Sequence, residues 1–436
     1  MKINKHLSAS SLYKIVRTGF GDVEDHRTEN AEISIQDILM SGFALFSLKD
    51  PSLLAFDARR EEPENLHKVY GIEQIACDTY MRTVLDEVKP AALRPVYKAL
   101  FQRLEREKVL EPYLFMGKYL IVSPDGTGYF ASKQINCPHC LEKKLRNGET
   151  LYQHYMLGAA IVHPDQKTVL PLMPEPIMRQ DGAKKNDCER NAAKRFLNDL
   201  RQDHPNLPIL IVEDSLSSNA PHIQALKRHD IRFILGAKPG DHKFLFKYVA
   251  QEKAAGRTTT FEMREKGVTH RFHFVNQVPL NESHPDLLVN FLEYWEIKDE
   301  GEGERHFSWV TDITIRQNNA YPLMRAGRAR WKTENETFNT LKNQGYHFEH
   351  NFGHGQHYLS VIFANLMMLA FLVDQVQEAA CLLFQAALDK VGSKKRLWDK
   401  MRAYFLSIDF DTMEMLYKAI VYGYRIEKIV VLDDTT

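Results

Sequence analysis

The sequence predicts an α/β fold: a mixed β-sheet carried between helical regions at the two ends of the chain. Three observations predict it. Residues 33–47, 72–88 and 91–111 place apolar side chains at helical spacing, broken by Pro51, Pro63 and Pro90. From about Gly117 the pattern switches to short apolar runs closed by turn residues. One of these, residues 208–214, is continuously apolar up to two acids, as in a strand buried on both faces. Helical spacing returns with the long apolar segment 358–376.

Composition bounds the function. The 436 residues, 44% hydrophobic and 26% charged, describe an ordinary globular protein of several domains. A formal net charge of zero argues against a generally basic nucleic-acid coat and leaves room for local basic patches. Five irregularly spaced cysteines fit a reducing compartment, so a cytoplasmic protein is expected. The N-terminus carries no apolar signal run. Residues 361–373, interrupted by Asn365, are too short to span a bilayer, so no membrane partner is expected.

Residues 1–115 read as a helical N-terminal DNA-binding domain. Pro95 moves the start of its third helix beyond Ala91. Basic residues recur at Arg59, Arg60, Lys68, Arg82, Lys98, Arg103 and Arg106. Residues 71–82 suit the second half of a helix-turn-helix, with Asp78 or Thr79 as N-cap and Arg82 facing DNA; a bundle with a solvated charged rim fits the same residues.

Residues 116–240 form the first part of the core. A strand at 119–123 ends in a turn at 124–127 that leaves Asp125 at the strand end, and a second strand returns over 128–135. Residues 152–162 and 168–172 flank a hairpin turn at 163–167. A helix follows over 186–204, capped by Asn186 or Asp187, then the strand ending in Glu213 and Asp214, a helix begun at Ser218, and a strand at 231–237. Three antiparallel strands followed by alternating helix and strand is the order of a ribonuclease H-like sheet, in which the strands carrying Asp125 and Asp214 are neighbours. Residues 241–315 read as a β-rich insertion with strands at 258–263, 270–276, 291–296 and 307–315 and a turn at 300–303. Residues 316–376 complete the core with helices, and 377–436 form a helical C-terminal region containing Lys390, Lys394, Lys395 and Arg396.

The stretch 328–342 has good helix formers and no Gly or Pro, and stops at Gly345. At about 100° per residue, Trp331, Phe338 and Leu341 share a face with Glu334, while Glu336 points to solvent. A carboxylate in an apolar stripe needs a cation, either Arg330 one turn earlier or a metal ion; alone, a rim Arg–Glu pair explains it. Gathered together, Asp125, Asp214 and Glu334 would repel. Two Mg²⁺ (or Mn²⁺) ions about 4 Å apart would remove that conflict and supply catalysis, and oxygen-only ligands favour these ions over zinc.

Over about residues 70–376 the sequence resembles the DDE-type transposases of the bacterial insertion-sequence class. The stretches 123–129, 211–219 and 330–342 carry the resemblance. Arg330, Trp331 and Glu334 match the family pattern around its last acid, Gly327 stands where a Tyr is usual, and Lys342 lies one residue late, which keeps Glu336 open as the third acid. The resemblance implies cleavage at mobile-element ends and transfer of the 3′ ends to target DNA, within a two-metal site of Asp125, Asp214 and Glu334. It also implies phosphate contacts by Arg330 and Lys342, and a homodimer on DNA engaging the terminal inverted repeats. Arg328 and Lys238 are further candidates to face DNA, and Trp309 or Trp295 to receive a flipped base. A ribonuclease H-like nuclease without joining, or a DNA-binding relic of the fold, are the rival readings.

Cys137 and Cys140, in CxxC spacing, suit Zn²⁺, with His139, His154, His163 or Cys188 to complete a tetrahedron; two thiols near a hairpin are the plainer reading. Residues 185–191 read as a capping or phosphate-binding helix start. His347, His350, His354 and His357 read as a DNA-facing or capping loop rather than a metal site.

Overall fold

A computed structural model describes residues 6–28, 30–179, 188–265, 267–298 and 303–424. The fold is mixed α/β, with twelve strands in one sheet. They are β1 (Leu114–Phe115), β2 (Tyr119–Ser132), β3 (Leu141–Lys144), β4 (Thr150–Val162), β5 (Leu170–Pro171) and β6 (Glu175–Ile177), then β7 (Ile209–Glu213), β8 (Arg232–Gly236), β9 (Thr259–Glu265), β10 (Val268–Asn281), β11 (His284–Lys298) and β12 (Glu304–Thr311). The order is β3-β4-β2-β7-β8-β12-β11-β10-β9, with β1 beside β2 and with β5 and β6 beside β4. Strands β2, β7 and β8 run parallel, and every other pairing is antiparallel. The continuous apolar run of β7 is buried along its whole length at the centre.

One expectation about the sheet is corrected. The turn at 124–127 does not form, because β2 runs unbroken for 14 residues. Cross-strand pairing with β4 carries it through Pro124 and Asp125, which sit opposite Ala159 and Gly158. Its pairing with β7 stops at Val122, so Pro124 owes no hydrogen bond on that side and Asp125 lies where the two strands have parted. The β-rich insertion is an extension of the core sheet. It opens with a helix, Lys243–Ala254, that apolar spacing did not reveal, and its last strand pairs with β8, Val310 opposite Leu235. The expected caps Asn186 and Asp187 and most of the turn at 300–303 lie outside the described residues. The described helix is Glu189–Asp203, entered from Cys188.

The helical ends of the chain meet. The Asn65 amide donates to the Phe405 and Ile408 carbonyls at 2.7 and 2.8 Å, and its oxygen accepts from the Phe410 N–H at 2.7 Å. Ser10 is bonded to Glu414. Helix Asp78–Asp86 starts after Cys77 rather than from an Asp78 or Thr79 cap, and Arg82 pairs with Asp78 on its own helix at 3.4 Å. Helix Arg94–Arg106 starts beyond Ala91, with Pro95 in its first turn.

At the centre of this body lies helix Leu359–Ala380. Its 22 residues are long and apolar enough to cross a membrane, against the expectation from length, but its most apolar window is wholly buried inside the fold. Several of its polar side chains find partners there: Gln375 accepts from Val169, Gln377 from Tyr417, and Asp374 meets Lys49 at 2.6 Å. Lys49 also lies 3.9 Å over the Trp398 ring, and Tyr346 donates to Asp374 at 2.8 Å. Burial pulls the Lys49 pKa below its ordinary value and pushes that of Asp374 up, and each charge offsets the burial of the other.

Removing one partner strands the other. Asp374→Ala is expected to cost about 3–5 kcal/mol in urea denaturation, whereas Lys49→Met combined with Asp374→Leu costs far less. Equal losses in the single and double variants would show that the pair is not the source of the effect.

Candidate active site

Strand β2 presents Asp125. One carboxylate oxygen accepts from the Gly126 N–H at 3.0 Å, and the other lies 3.7 Å from the Arg330 guanidinium. Asp214 follows the last residue of β7 and accepts from the Leu216 N–H at 2.9 Å. Gly236 at the end of β8 holds this turn closely, since a Cβ there would lie 3.0 Å from the Ser215 nitrogen. Glu213, the acid just before, points elsewhere: it is buried and bonded to His222 Nε2 at 2.6 Å.

Glu334 arrives by a route that helical spacing misjudged. The chain does not run as one regular helix over 328–342. Helix Gln317–Arg328 ends, and a π-helical stretch, Thr333–Phe338, leads into Asn339–Asn343. The wider winding changes which residues face inward. Thr333, Thr337, Phe338, Thr340 and Leu341 are buried, whereas Trp331 is 51% exposed and Glu334 is also on the surface. Thr333 donates to the Ser123 carbonyl of β2 at 2.9 Å, and the Phe338 ring covers Gly158, where a Cβ would come within 2.7 Å of it. Gly158 is the cross-strand partner of Asp125. The Glu334 segment is therefore docked across the strand pair at the level of Asp125. Irregular π turns of this kind are frequent at functional sites.

The acids act on one another. Partial burial pushes the Asp125 carboxyl above the usual range; Arg330 and the Gly126 N–H oppose this, and the charges of Glu334 and Asp214 add to it. Glu336 exerts its pull on Lys332 instead. A fourth acid, Glu189, was not anticipated. It stands in the first turn of Glu189–Asp203, directly over Gly126, where any Cβ would collide with its carboxylate. Burial and then the charges of Asp125 and Asp214 raise its pKa. Arg195 fastens this helix to Glu175, and Arg94 ties it to the N-terminal region through Asp199 and Asp203 at 2.7 and 2.8 Å. The only trace of Glu189 in the sequence is Gly126 itself, because a glycine inside a strand marks a close approach.

The basic and aromatic candidates fare differently. Arg330 belongs to the site, with its guanidinium 5.4 Å from the exposed Trp331 ring. Lys238 is exposed just beyond β8. Lys342 is paired with Glu349 at 3.1 Å, and Arg328 is bound by Glu296 and lies over Phe307. Trp309 is only 5% exposed, stacks on Phe307 and faces Gly327, where a Cβ would come within 2.5 Å of its indole nitrogen. It is a packing residue with no open face for a base, and its bulk accounts for glycine at 327. Trp295, partly exposed, stacks on His306.

A second group is drawn closer. The ligand atoms of Cys137, Cys140, His154 and His354 all lie within 4.8 Å of one another, a spacing that Asp125, Asp214 and Glu334 do not reach. His139 approaches the Arg179 carbonyl instead, and His163 and Cys188 stand outside the group. The sequence matches no family model and no curated protein.

The raised pKa of Asp125 has a measurable consequence. A carboxyl whose folded pKa exceeds its unfolded value stabilises the fold below the ordinary aspartate range, about 4, and loses that contribution as pH rises through the folded value. Asp125→Asn is therefore expected to raise the melting temperature in chelator at pH 7 and to have little effect below about pH 4. A lowered melting temperature at pH 7 would contradict this.

Proposed function

We propose that the chain is a DNA transposase of the DDE type, cutting at the ends of a mobile element and joining the 3′ ends to target DNA by in-line attack at phosphorus. The observation that carries this reading is the approach of Asp125, Asp214 and Glu334 from three distant segments, near enough that the charges of Glu334 and Asp214 add to the burial that raises the Asp125 pKa. The sheet supports it. Antiparallel β2 and β4, with short β5 and β6 along β4, are followed by β7 parallel beside β2 and by β8 parallel beside β7, an order that fits a ribonuclease H-like sheet.

The donor set suits a hard divalent cation, because it consists of carboxylates that share a field and are short of positive charge. Asp125, Asp214 and Glu334 would hold Mg²⁺ or Mn²⁺, with Glu189 at hand. Bound ions would supply charge stabilisation to the attacking and leaving oxygens. Arg330, beside Asp125, is placed to meet a phosphate and loses little by exchanging partners across 3.7 Å. Lys342 reaches a phosphate only by giving up Glu349. The exposed Trp331 ring beside Arg330 offers a surface for a base or sugar at the cut. Joining two element ends calls for two copies of the chain on DNA.

The test uses the DNA that flanks this gene, incubated with protein and Mg²⁺ or Mn²⁺. Metal-dependent nicks at the element boundary and joined target products are expected. Asp125→Ala, Asp214→Ala and Glu334→Ala should each lower cleavage at least about 100-fold, since losing even an outer-shell partner of a metal ligand costs 10–100-fold. DNA binding should persist. Nicks without joined products would favour a nuclease, and tight binding without cleavage would overturn the catalytic reading.

A further inference from the structure

Four sulfur and nitrogen atoms from three separate segments meet beside the carboxylate sheet. Cys137 and Cys140 sit in the tight turn between β2 and β3, where the Cys140 N–H donates to the Cys137 carbonyl at 3.2 Å and the Cys137 N–H points at the Cys140 sulfur at 3.4 Å. His154 comes from β4, opposite Phe130 of β2. His354 comes from the loop that precedes helix Leu359–Ala380, more than two hundred positions along the chain.

The distances have the pattern of a tetrahedron. The two sulfurs are 3.8 Å apart, His154 Nε2 lies 3.4 Å from each sulfur, and His354 Nε2 lies 3.2 Å from the Cys140 sulfur. With zinc bonds of about 2.3 Å to sulfur and 2.0–2.1 Å to nitrogen, tetrahedral edges come to about 3.8 Å between sulfurs and about 3.5 Å between sulfur and nitrogen. The sulfurs are also too far apart for a disulfide, whose bond is about 2.05 Å. Phe130 packs on His354 at 4.5 Å and Tyr129 on His154 at 5.9 Å, giving the group an aromatic wall.

We propose that Cys137, Cys140, His154 and His354 bind one Zn²⁺ as a closed, structural Cys₂His₂ centre. Four protein ligands leave no open position, so the ion holds segments together and takes no part in chemistry. What it holds is specific. On its other side the His354 loop is pinned to the N-terminal region: Asp86 accepts the N–H groups of Gln356, His357 and Leu359 at 2.7, 2.9 and 3.0 Å. Gly353 is wedged between Leu359, Arg82 and Phe363, and Gly355 is pressed against Asp86. The zinc centre therefore clamps the loop that follows the Glu334 segment onto the strand pair carrying Asp125, and ties both to the N-terminal helices. This holds whether or not the chain is a transposase, because it rests on donor atoms apart from the carboxylates.

The test is metal content and spectroscopy of the full chain, independent of any DNA reaction. Purified protein should carry about one zinc per chain. After exchange it should bind Co²⁺ with the intense visible bands of a tetrahedral site and thiolate-to-cobalt charge transfer. Cys140→Ser should abolish stoichiometric binding, His354→Ala should weaken zinc at least about tenfold, and Cys188→Ser should change nothing. His354→Cys should retain one ion and strengthen the thiolate band, which keeps the test decisive if Cys140→Ser fails to fold. Folded wild-type protein that takes up no stoichiometric zinc, or that forms a Cys137–Cys140 disulfide without metal, would overturn the proposal. An unchanged cobalt spectrum and zinc affinity in His354→Ala would overturn the tetrad.

Discussion

The hydrogen bond from the buried Thr333 hydroxyl to the Ser123 carbonyl is the joint on which the site depends. With Phe338 seated on Gly158, it locks a late, irregular helical segment across the first long strand of the sheet. Glu334 and Arg330 are thereby delivered to Asp125 together. The geometry brings like charges near one another, and Arg330 and the Gly126 N–H offset part of the effect on Asp125. Carboxylates grouped in this way, with their charges only partly offset, are common at functional sites.

Much of the central sheet was legible in the sequence because its signals are local. The apolar run of β7, the hairpin after Val162 and the acids closing β7 each follow from a few neighbouring residues. The unread features are those set by distant partners. Pro124-Asp125-Gly126 is a turn by composition, but β4 pairs alongside and straightens it into strand. That the insertion continues the core sheet is set by the pairing of β12 with β8. Glu334 was singled out by an assumed helical period and then by resemblance, but a π stretch replaces that period and leaves Glu334 on the surface. Glu189 was not singled out, and His354 was read with its neighbouring histidines as a loop residue, because nothing near either in sequence marks what it faces in space.

The helical ends of the chain, which read as separate regions, are joined around helix Leu359–Ala380. Lys49 from the first region and Asp374 from this helix form a buried ion pair against Trp398 of the third. The same helix begins at the Asp86-capped loop that carries His354, so the helical body and the sheet share one junction close to the site.

On the proposed reading, Asp125, Asp214 and Glu334, and not Glu336, hold the cation. The most direct measurement is Mn²⁺ titration followed by electron paramagnetic resonance on wild type, Glu334→Gln and Glu336→Gln, with zinc kept saturating. Glu334→Gln is expected to weaken Mn²⁺ binding at least about tenfold and Glu336→Gln to leave it near wild type. Unchanged affinity in Glu334→Gln, or loss of binding in Glu336→Gln alone, would contradict it.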